Sequence, residues 1–273
     1  GAFKIAKKNH KVFNCYIDKK FVLEFKKKFG NPDIITFTNV FAHIENLKTL
    51  CKNLNLLIDD NTIIIIENHY LKSVLDSLQF DTFYHEHLRT YSFNSFFKLS
   101  KEFGFKIINF SFPKRYGGNI RIYLKKNINI KYSSQFKKIL KNEKLLIKKN
   151  INKFKRSVNK FKLIKKKQIN QLNKKFGPMP GKSYPARASI LINFLNLNKN
   201  NISAIYEKQK SKKINFYVPG TDIKIISDKY LSKINKKIPI INFAWHISKE
   251  IKNYLKKNNI NNEVVDIVNK KDF

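Results

Sequence analysis

The run Thr62-Ile63-Ile64-Ile65-Ile66-Glu67 limits what this chain can fold into more than any other stretch. Its four consecutive isoleucines cannot alternate between core and water, so the run reads as a strand buried on both faces. Such a strand needs helices to cover it, and the flanking sequence provides them. Upstream, Asp33-Ile34-Ile35-Thr36-Phe37 is strand-like, and Leu47, Leu50, Cys51 and Leu54 follow it at helical spacing. Earlier still, Phe21, Val22, Phe25 and Phe29 give residues 19–29 one apolar helical face, stopped by Gly30-Asn31-Pro32; residues 11–16 read as a short strand and 1–8 as the tail of a helix. Downstream, Phe93, Phe96, Phe97 and Phe103 form the stripe of a helix ending at Gly104, residues 105–110 read as a strand, and Tyr116-Gly117-Gly118-Asn119 turns the chain into a strand over 120–124.

Strands alternating with helices at this spacing predict an α/β fold with a mostly parallel sheet. Ligands in such sheets gather at the carboxyl ends of the strands. That edge would carry Thr38, Asn39 and His43 after one strand, and Asn68, His69 and Tyr70 after the next. Residues 133–175 hold no Gly or Pro and predict two long helices with solvated lysine faces. Gly177-Pro178-Met179-Pro180-Gly181-Lys182-Ser183 reads as the connector that ends them. Alternation then resumes, with helices over 188–197 and 248–257 and strands over 202–206, 223–226, 238–243 and 263–267. The expected organisation is a first domain over 1–130, a helical connector over 131–171 and a second domain over 172–273.

The balance of 56 Lys+Arg against 19 Asp+Glu, a net charge of +37, would ordinarily point to nucleic acid. Lys, Asn, Ile and Phe are abundant throughout, however, so the excess reads as a global residue bias and no nucleic-acid partner is expected. The field would still draw in a polyanion such as a nucleotide diphosphate. Cys15 and Cys51 lack any paired spacing and read as reduced core residues. No apolar run reaches the roughly 18 residues of a membrane span, so no membrane partner and a cytoplasmic location are expected. Oligomeric state is not legible.

The chemistry concentrates in Phe80-Asp81-Thr82-Phe83-Tyr84-His85-Glu86-His87-Leu88. Of six histidines in the chain, His69, His85 and His87 fall within or just before this block. An imidazole beside a phenol suits removal of a proton from carbon, which needs a base near neutral pKa and a donor for the oxyanion. The plainer alternative is a surface loop. Metal ligation by His85 and His87 lacks a completing cluster, so no metal is expected. In an ideal strand Tyr84 and Glu86 would point away from His87, so the segment must be irregular if all three line one pocket. Gly181-Lys182-Ser183 is not a phosphate loop: the required earlier glycine falls at Phe176, and Pro178 and Pro180 remove N–H donors. Lys182, Ser183 and Arg187 could still hold a phosphate at the start of the next helix.

Several blocks resemble one family. Asn39-Val40-Phe41-Ala42-His43-Ile44, the Tyr84-His85-Glu86-His87 block, Gly117-Gly118-Asn119-Ile120-Arg121, Pro185-Ala186-Arg187-Ala188, Tyr217-Val218-Pro219-Gly220-Thr221 and Phe243-Ala244-Trp245 are similar to bacterial S-adenosylmethionine-dependent sugar C-methyltransferases, which act on nucleotide-linked keto-deoxysugars. The resemblance implies two Rossmann-like domains, a partial class I methyltransferase domain plus a C-terminal α/β domain, joined by the long helices. Family members ordinarily begin with a cysteine-rich zinc domain and a Gly-rich cofactor loop. Neither pattern occurs in this sequence, whose first residues resemble the helix after the second strand.

The implied cofactor is S-adenosylmethionine, with zinc confined to that other domain. His87 is implied as the general base, Tyr84 and Glu86 as groups that orient the sugar and stabilise the enolate, and His43 as a further active-site histidine. The enolate then attacks the sulfonium methyl. Thr38 and Asn39 are the expected cofactor contacts, and Gly117, Gly118, Asn119, Arg121, Lys182, Arg187 and Trp245 the expected substrate contacts. The plain readings of Gly117-Gly118 as a tight turn and of Arg121 as the partner of a carboxylate stay open. A non-catalytic nucleotide-sugar-binding protein and a basic nucleic-acid-binding protein are the alternative functions.

Overall fold

The computed structural model describes residues 2–269; Gly1, at the start of the first expected helix, and residues 270–273, at the end of the second expected domain, lie outside the described residues. The chain divides into two compact units, one made of Gly1–Tyr70 and Leu88–Lys144, the other of Leu71–His87 and Leu145–Phe273. The segment holding the Tyr-His-Glu-His block therefore groups with the second unit, whereas the sequence reading places it in the first domain.

In the first unit, α1 (Ala2–Ala6) and α2 (Lys19–Phe29) precede β1 (Ile34–Thr38), α3 (Leu47–Leu57) and β2 (Ile63–His69). The short helix α4 (Leu71–Asp76) belongs to the second unit, after which α5 (Phe93–Glu102), β3 (Phe105–Ser111) and β4 (Asn119–Lys126) complete the first. The strands order as β1-β2-β4-β3. Only β1 and β2 run parallel; β4 is antiparallel to both β2 and β3. This corrects the expectation of a mostly parallel sheet. A parallel pair needs a crossover of roughly a dozen residues, and only residues 112–118 link β3 to β4. The reversal is made at Gly117 and Gly118, whose φ values of 87° and 119° lie where a side chain is strained.

Within β2, Ile64 and Ile66 are fully buried while Ile63 and Ile65 are half-buried, so one face of the strand is sealed more tightly than the other. No strand forms over 11–16; Phe13 instead packs edge-on against Phe21, Phe25 and Phe29. The N-terminus of α5 is closed by a Ser92–Ser95 capping box and by Glu143, which accepts from the Phe93 and Asn94 amides at 2.8 Å each. Tyr70 donates to the same carboxylate at 2.7 Å.

Glu143 lies on α6 (Ser134–Phe176), a single helix of 43 residues where two were expected. Without Gly or Pro, nothing in this stretch interrupts the i→i−4 ladder.

In the second unit β5 (Met179–Lys182), α7 (Ala188–Phe194), β6 (Ile202–Glu207), β7 (Ile225–Ser227), β8 (Ile240–Asn242), α8 (Ser248–Lys257) and β9 (Val264–Asp266) follow. All pairings are parallel, in the order β7-β6-β5-β8-β9. Renumbered along the chain this is the 3-2-1-4-5 order of doubly wound sheets, with the switch point between β5 and β8. The expected connector is thus the central strand. Pro180 is tolerated there because the register against β6 shifts between Met179 and Pro180, at a bulge where a ladder N–H is not required. Gly181 is demanded by packing: a Cβ there would stand 2.8 Å from the Phe243 ring and 3.2 Å from Ile205 Cγ1. Residues that signal a loop by composition therefore build the middle of the sheet.

Gly181→Ala is expected to lower stability by about 1–3 kcal/mol through overpacking against the buried Phe243 ring. Urea unfolding of the two proteins checks this.

Candidate active site

The residues of the Tyr-His-Glu-His block sit on an irregular turn rather than on an ideal strand. A short 3₁₀ helix, Phe80–Thr82, leads into a bend at Tyr84 and a turn at His85 and Glu86. The His87 amide donates back to the Tyr84 carbonyl at 2.8 Å. This closes the loop and brings the two rings together, with centroids 4.2 Å apart. His85 and Glu86 are exposed, and Tyr84 and His87 are half-buried.

His87 Nδ1 lies 2.9 Å from the Thr82 carbonyl oxygen. A carbonyl only accepts, so Nδ1 carries the proton, and in the neutral ring the lone pair lies on Nε2. Burial raises the Tyr84 pKa above its ordinary value, the Glu86 carboxylate raises it further, and Arg187 partly opposes them. The phenol consequently stays protonated and able to donate.

The turn is fixed from behind. Arg187 Nη2 reaches Asp81 Oδ1 at 2.7 Å, Thr82 Oγ1 at 2.8 Å and Gln79 Oε1 at 3.3 Å. Trp245 Nε1 donates to the other Asp81 oxygen at 2.8 Å, and the guanidinium lies 5.2 Å from the indole centre. Beside them His246 is held down to about 4, by burial first and by the Arg187 charge second, so it is neutral near pH 7.

Lys182, expected at a phosphate, is 1% exposed and donates to Asp228 at 2.8 Å and to the Tyr206 carbonyl at 3.3 Å. Tyr254 donates to the same Asp228 oxygen at 2.8 Å. The Lys182 ammonium is enclosed within the second unit's sheet edge and is satisfied there.

In the first unit the carboxyl ends of β1 and β2 meet the start of β4. Glu67, 2% exposed, accepts from Asn119 Nδ2 at 2.8 Å and from Arg121 Nε at 2.7 Å. Burial alone would raise its pKa, but the Asn119 and Arg121 bonds outweigh that and hold it below the ordinary carboxylate range. Arg121 therefore does pair with a carboxylate.

The same edge leaves three amide atoms, Asn39 Oδ1, Asn68 Nδ2 and Asn119 Oδ1, buried without a hydrogen-bond partner among the described residues. Asn39 has φ 54° and donates its backbone N–H to the Glu67 carbonyl at 2.8 Å, which places it next to Asn68 along the sheet edge. Buried polar atoms normally find partners, so these fit an occupant with both donors and acceptors. Gly117 and Gly118 form the neighbouring turn, with the Gly118 carbonyl accepting from the Tyr70 amide at 3.2 Å. Thr38 is exposed at the end of β1, and His43 is exposed on a short 3₁₀ helix after it.

Tyr84, Glu86, His87, Arg187, Trp245 and Lys182 belong to the second unit, and Thr38, Asn39, His43, Gly117, Gly118, Asn119 and Arg121 to the first. The sequence reading set Asn68 at the ligand edge of the sheet but gave no role to Asp81 or Glu67. Asp81 stood inside the recognised block, and a carboxylate set between Phe80 and Thr82-Phe83 was the available signal. Among the described residues no group of three or more His, Cys, Asp or Glu is placed to hold a metal ion. Among them also, no helix is long and apolar enough to cross a membrane.

Residues 114–265, more than half of the chain, match the C-methyltransferase C-terminal domain family, and the chain belongs to that family. It is also 25% identical over 100 residues to C-methyltransferase NovU of Streptomyces niveus. That alignment covers 37% of this chain and 24% of the relative. The family is the one the sequence motifs resemble, and membership implies S-adenosylmethionine as the cofactor. The Tyr84–His87 turn lies ahead of the matched residues.

The Glu67 node gives a pH prediction. A depressed carboxylate pKa contributes stability that is present above the unfolded value, about 4.3, and is lost as pH falls through the folded value. Glu67→Gln should therefore be less stable than the parent at pH 7, with the gap narrowing in acid; thermal unfolding from pH 7 down to pH 3 checks it.

Proposed function

We propose that this chain catalyses S-adenosylmethionine-dependent C-methylation of a nucleotide-linked keto-deoxysugar, with His87 as the base. The observation that carries this reading is the Nδ1 bond to the Thr82 carbonyl, which presents Nε2 as an acceptor beside a phenol that stays protonated. A keto group acidifies the neighbouring C–H, and Nε2 takes that proton. Charge then moves to the keto oxygen, where the Tyr84 hydroxyl donates to the developing enolate. Glu86, exposed on the same turn, accepts from sugar hydroxyls and orients the ring.

S-adenosylmethionine, when bound, supplies an electrophilic methyl group on a sulfonium. The unpartnered Asn39 Oδ1 fits its ammonium or hydroxyl donors, with Thr38 as the second contact at the end of β1. We assign Gly117, Gly118 and Asn119 to the sugar nucleotide, and His43 as a further reacting-site histidine. The net charge of +37 favours the approach of the anionic diphosphate. We assign the reaction to the cytoplasm.

Proton removal can be read without methyl transfer. In deuterium oxide with a thymidine-diphosphate keto-sugar, proton NMR should show the hydrogen beside the carbonyl washing out. His87→Asn should slow this by about 10²–10⁴-fold, and Tyr84→Phe by about 10²-fold or more. Equal rates in the parent and His87→Asn would remove His87 as the base.

A further inference from the structure

The order β7-β6-β5-β8-β9 opens a crevice at the carboxyl ends of β5 and β8, the place where doubly wound sheets hold a ligand. The segments leaving those two ends carry Arg187 and Trp245, and both grip Asp81. Asp81 is 1% exposed and Arg187 9%, so the pair is desolvated and closed to water. Gln79, Asp81 and Thr82 all face the one guanidinium nitrogen, and Phe80 between them is wedged against the Phe161 and Phe194 rings, at 5.3 and 5.0 Å. The carbonyl of Thr82, on this pinned turn, is the group that holds His87 Nδ1.

We infer that Arg187 and Trp245 are positioning residues for the base: by fixing the turn through Asp81 and Thr82 they aim the Thr82 carbonyl, and so select the tautomer and orientation of His87. The sheet's switch-point crevice holds the chain's own turn. This rests on the reading of His87 as the base, but its structural half can be tested apart from it. Nη2 faces three acceptors of its own chain while Nε stays buried without a partner among the described residues, so the chain itself fixes where the guanidinium sits. A buried pair of this kind adds little net stability, yet breaking one partner leaves a charge exposed to no compensation. Its worth is in geometry, where a displacement of about 1 Å can cost about 100-fold in rate.

The test uses the full chain with ¹⁵N-labelled histidine, comparing the parent with Arg187→Lys, Trp245→Phe and Thr82→Val. The parent should show His87 with its proton on Nδ1. Arg187→Lys, which keeps the charge but loses the fork of donors, should give a mixture of tautomers. It should also slow the deuterium washout by about 100-fold, with unchanged affinity for the thymidine-diphosphate keto-sugar. Trp245→Phe and Thr82→Val, milder changes, should shift the tautomer in the same direction and report even if Arg187→Lys does not fold. An unchanged His87 tautomer in the folded variants, or a loss of sugar-nucleotide affinity in Arg187→Lys with the tautomer intact, would overturn the inference. If the parent itself shows no washout, the assignment of the base fails, while the tautomer comparison still decides whether the clamp exists.

Discussion

The buried pair between Arg187 and Asp81 is the contact on which the position of the second unit's Tyr84–His87 turn depends. Removing two charges from water costs several kcal/mol per ion, and their attraction roughly balances that only when the geometry is good and the remaining valences are filled. The first condition is met and the second in part: Trp245 fills the second carboxylate oxygen, Thr82 and Gln79 share one guanidinium nitrogen with Asp81, and Nε stays buried without a hydrogen-bond partner among the described residues. The balance leaves a fixed position. A half-exposed imidazole inherits that position through a single carbonyl, which is how a loop without regular secondary structure can present a defined lone pair.

The two units solve the same problem at the carboxyl ends of their strands with different materials. In the second, Lys182 and Tyr254 close on Asp228, and Arg187 and Trp245 close on Asp81, so each buried charge meets its counter-charge, although Arg187 Nε is left without a partner among the described residues. In the first, Glu67 consumes Arg121 and one atom of Asn119, but Asn39 Oδ1, Asn68 Nδ2 and Asn119 Oδ1 have no partner among the described residues. Unsatisfied carboxamides are cheaper to leave waiting than unpaired charges. The three unpartnered carboxamide atoms gathered at one sheet edge are why we assign that edge to ligands, whereas the paired charges of the second unit hold structure.

Much of this was legible in the sequence, for reasons that can be named. The isoleucine run and the phenylalanine stripes are long periodic signals, and β2, α2 and α5 form where they predict. The Tyr-His-Glu-His block was visible because its residue types are costly to place without purpose. Other features depended on tertiary context. Met179–Lys182 carries Pro and Gly, and only the bulge against β6 and the Phe243 ring packed over Gly181 explain a central strand there. The antiparallel β4 followed from a linker too short to cross over, a length that the alternation pattern does not weigh. Arg187 and Lys182 read as phosphate contacts because their carboxylate partners, Asp81 and Asp228, lie 106 and 46 residues away.

The most direct test of the central claim is the fate of an isotopic methyl group. Incubation of the chain with S-adenosylmethionine labelled with ¹³C at the methyl carbon and a thymidine-diphosphate keto-sugar, followed by carbon NMR, should show the label bonded to the ring carbon beside the keto group. Label on a sugar oxygen would contradict the account, because that product needs no base at carbon.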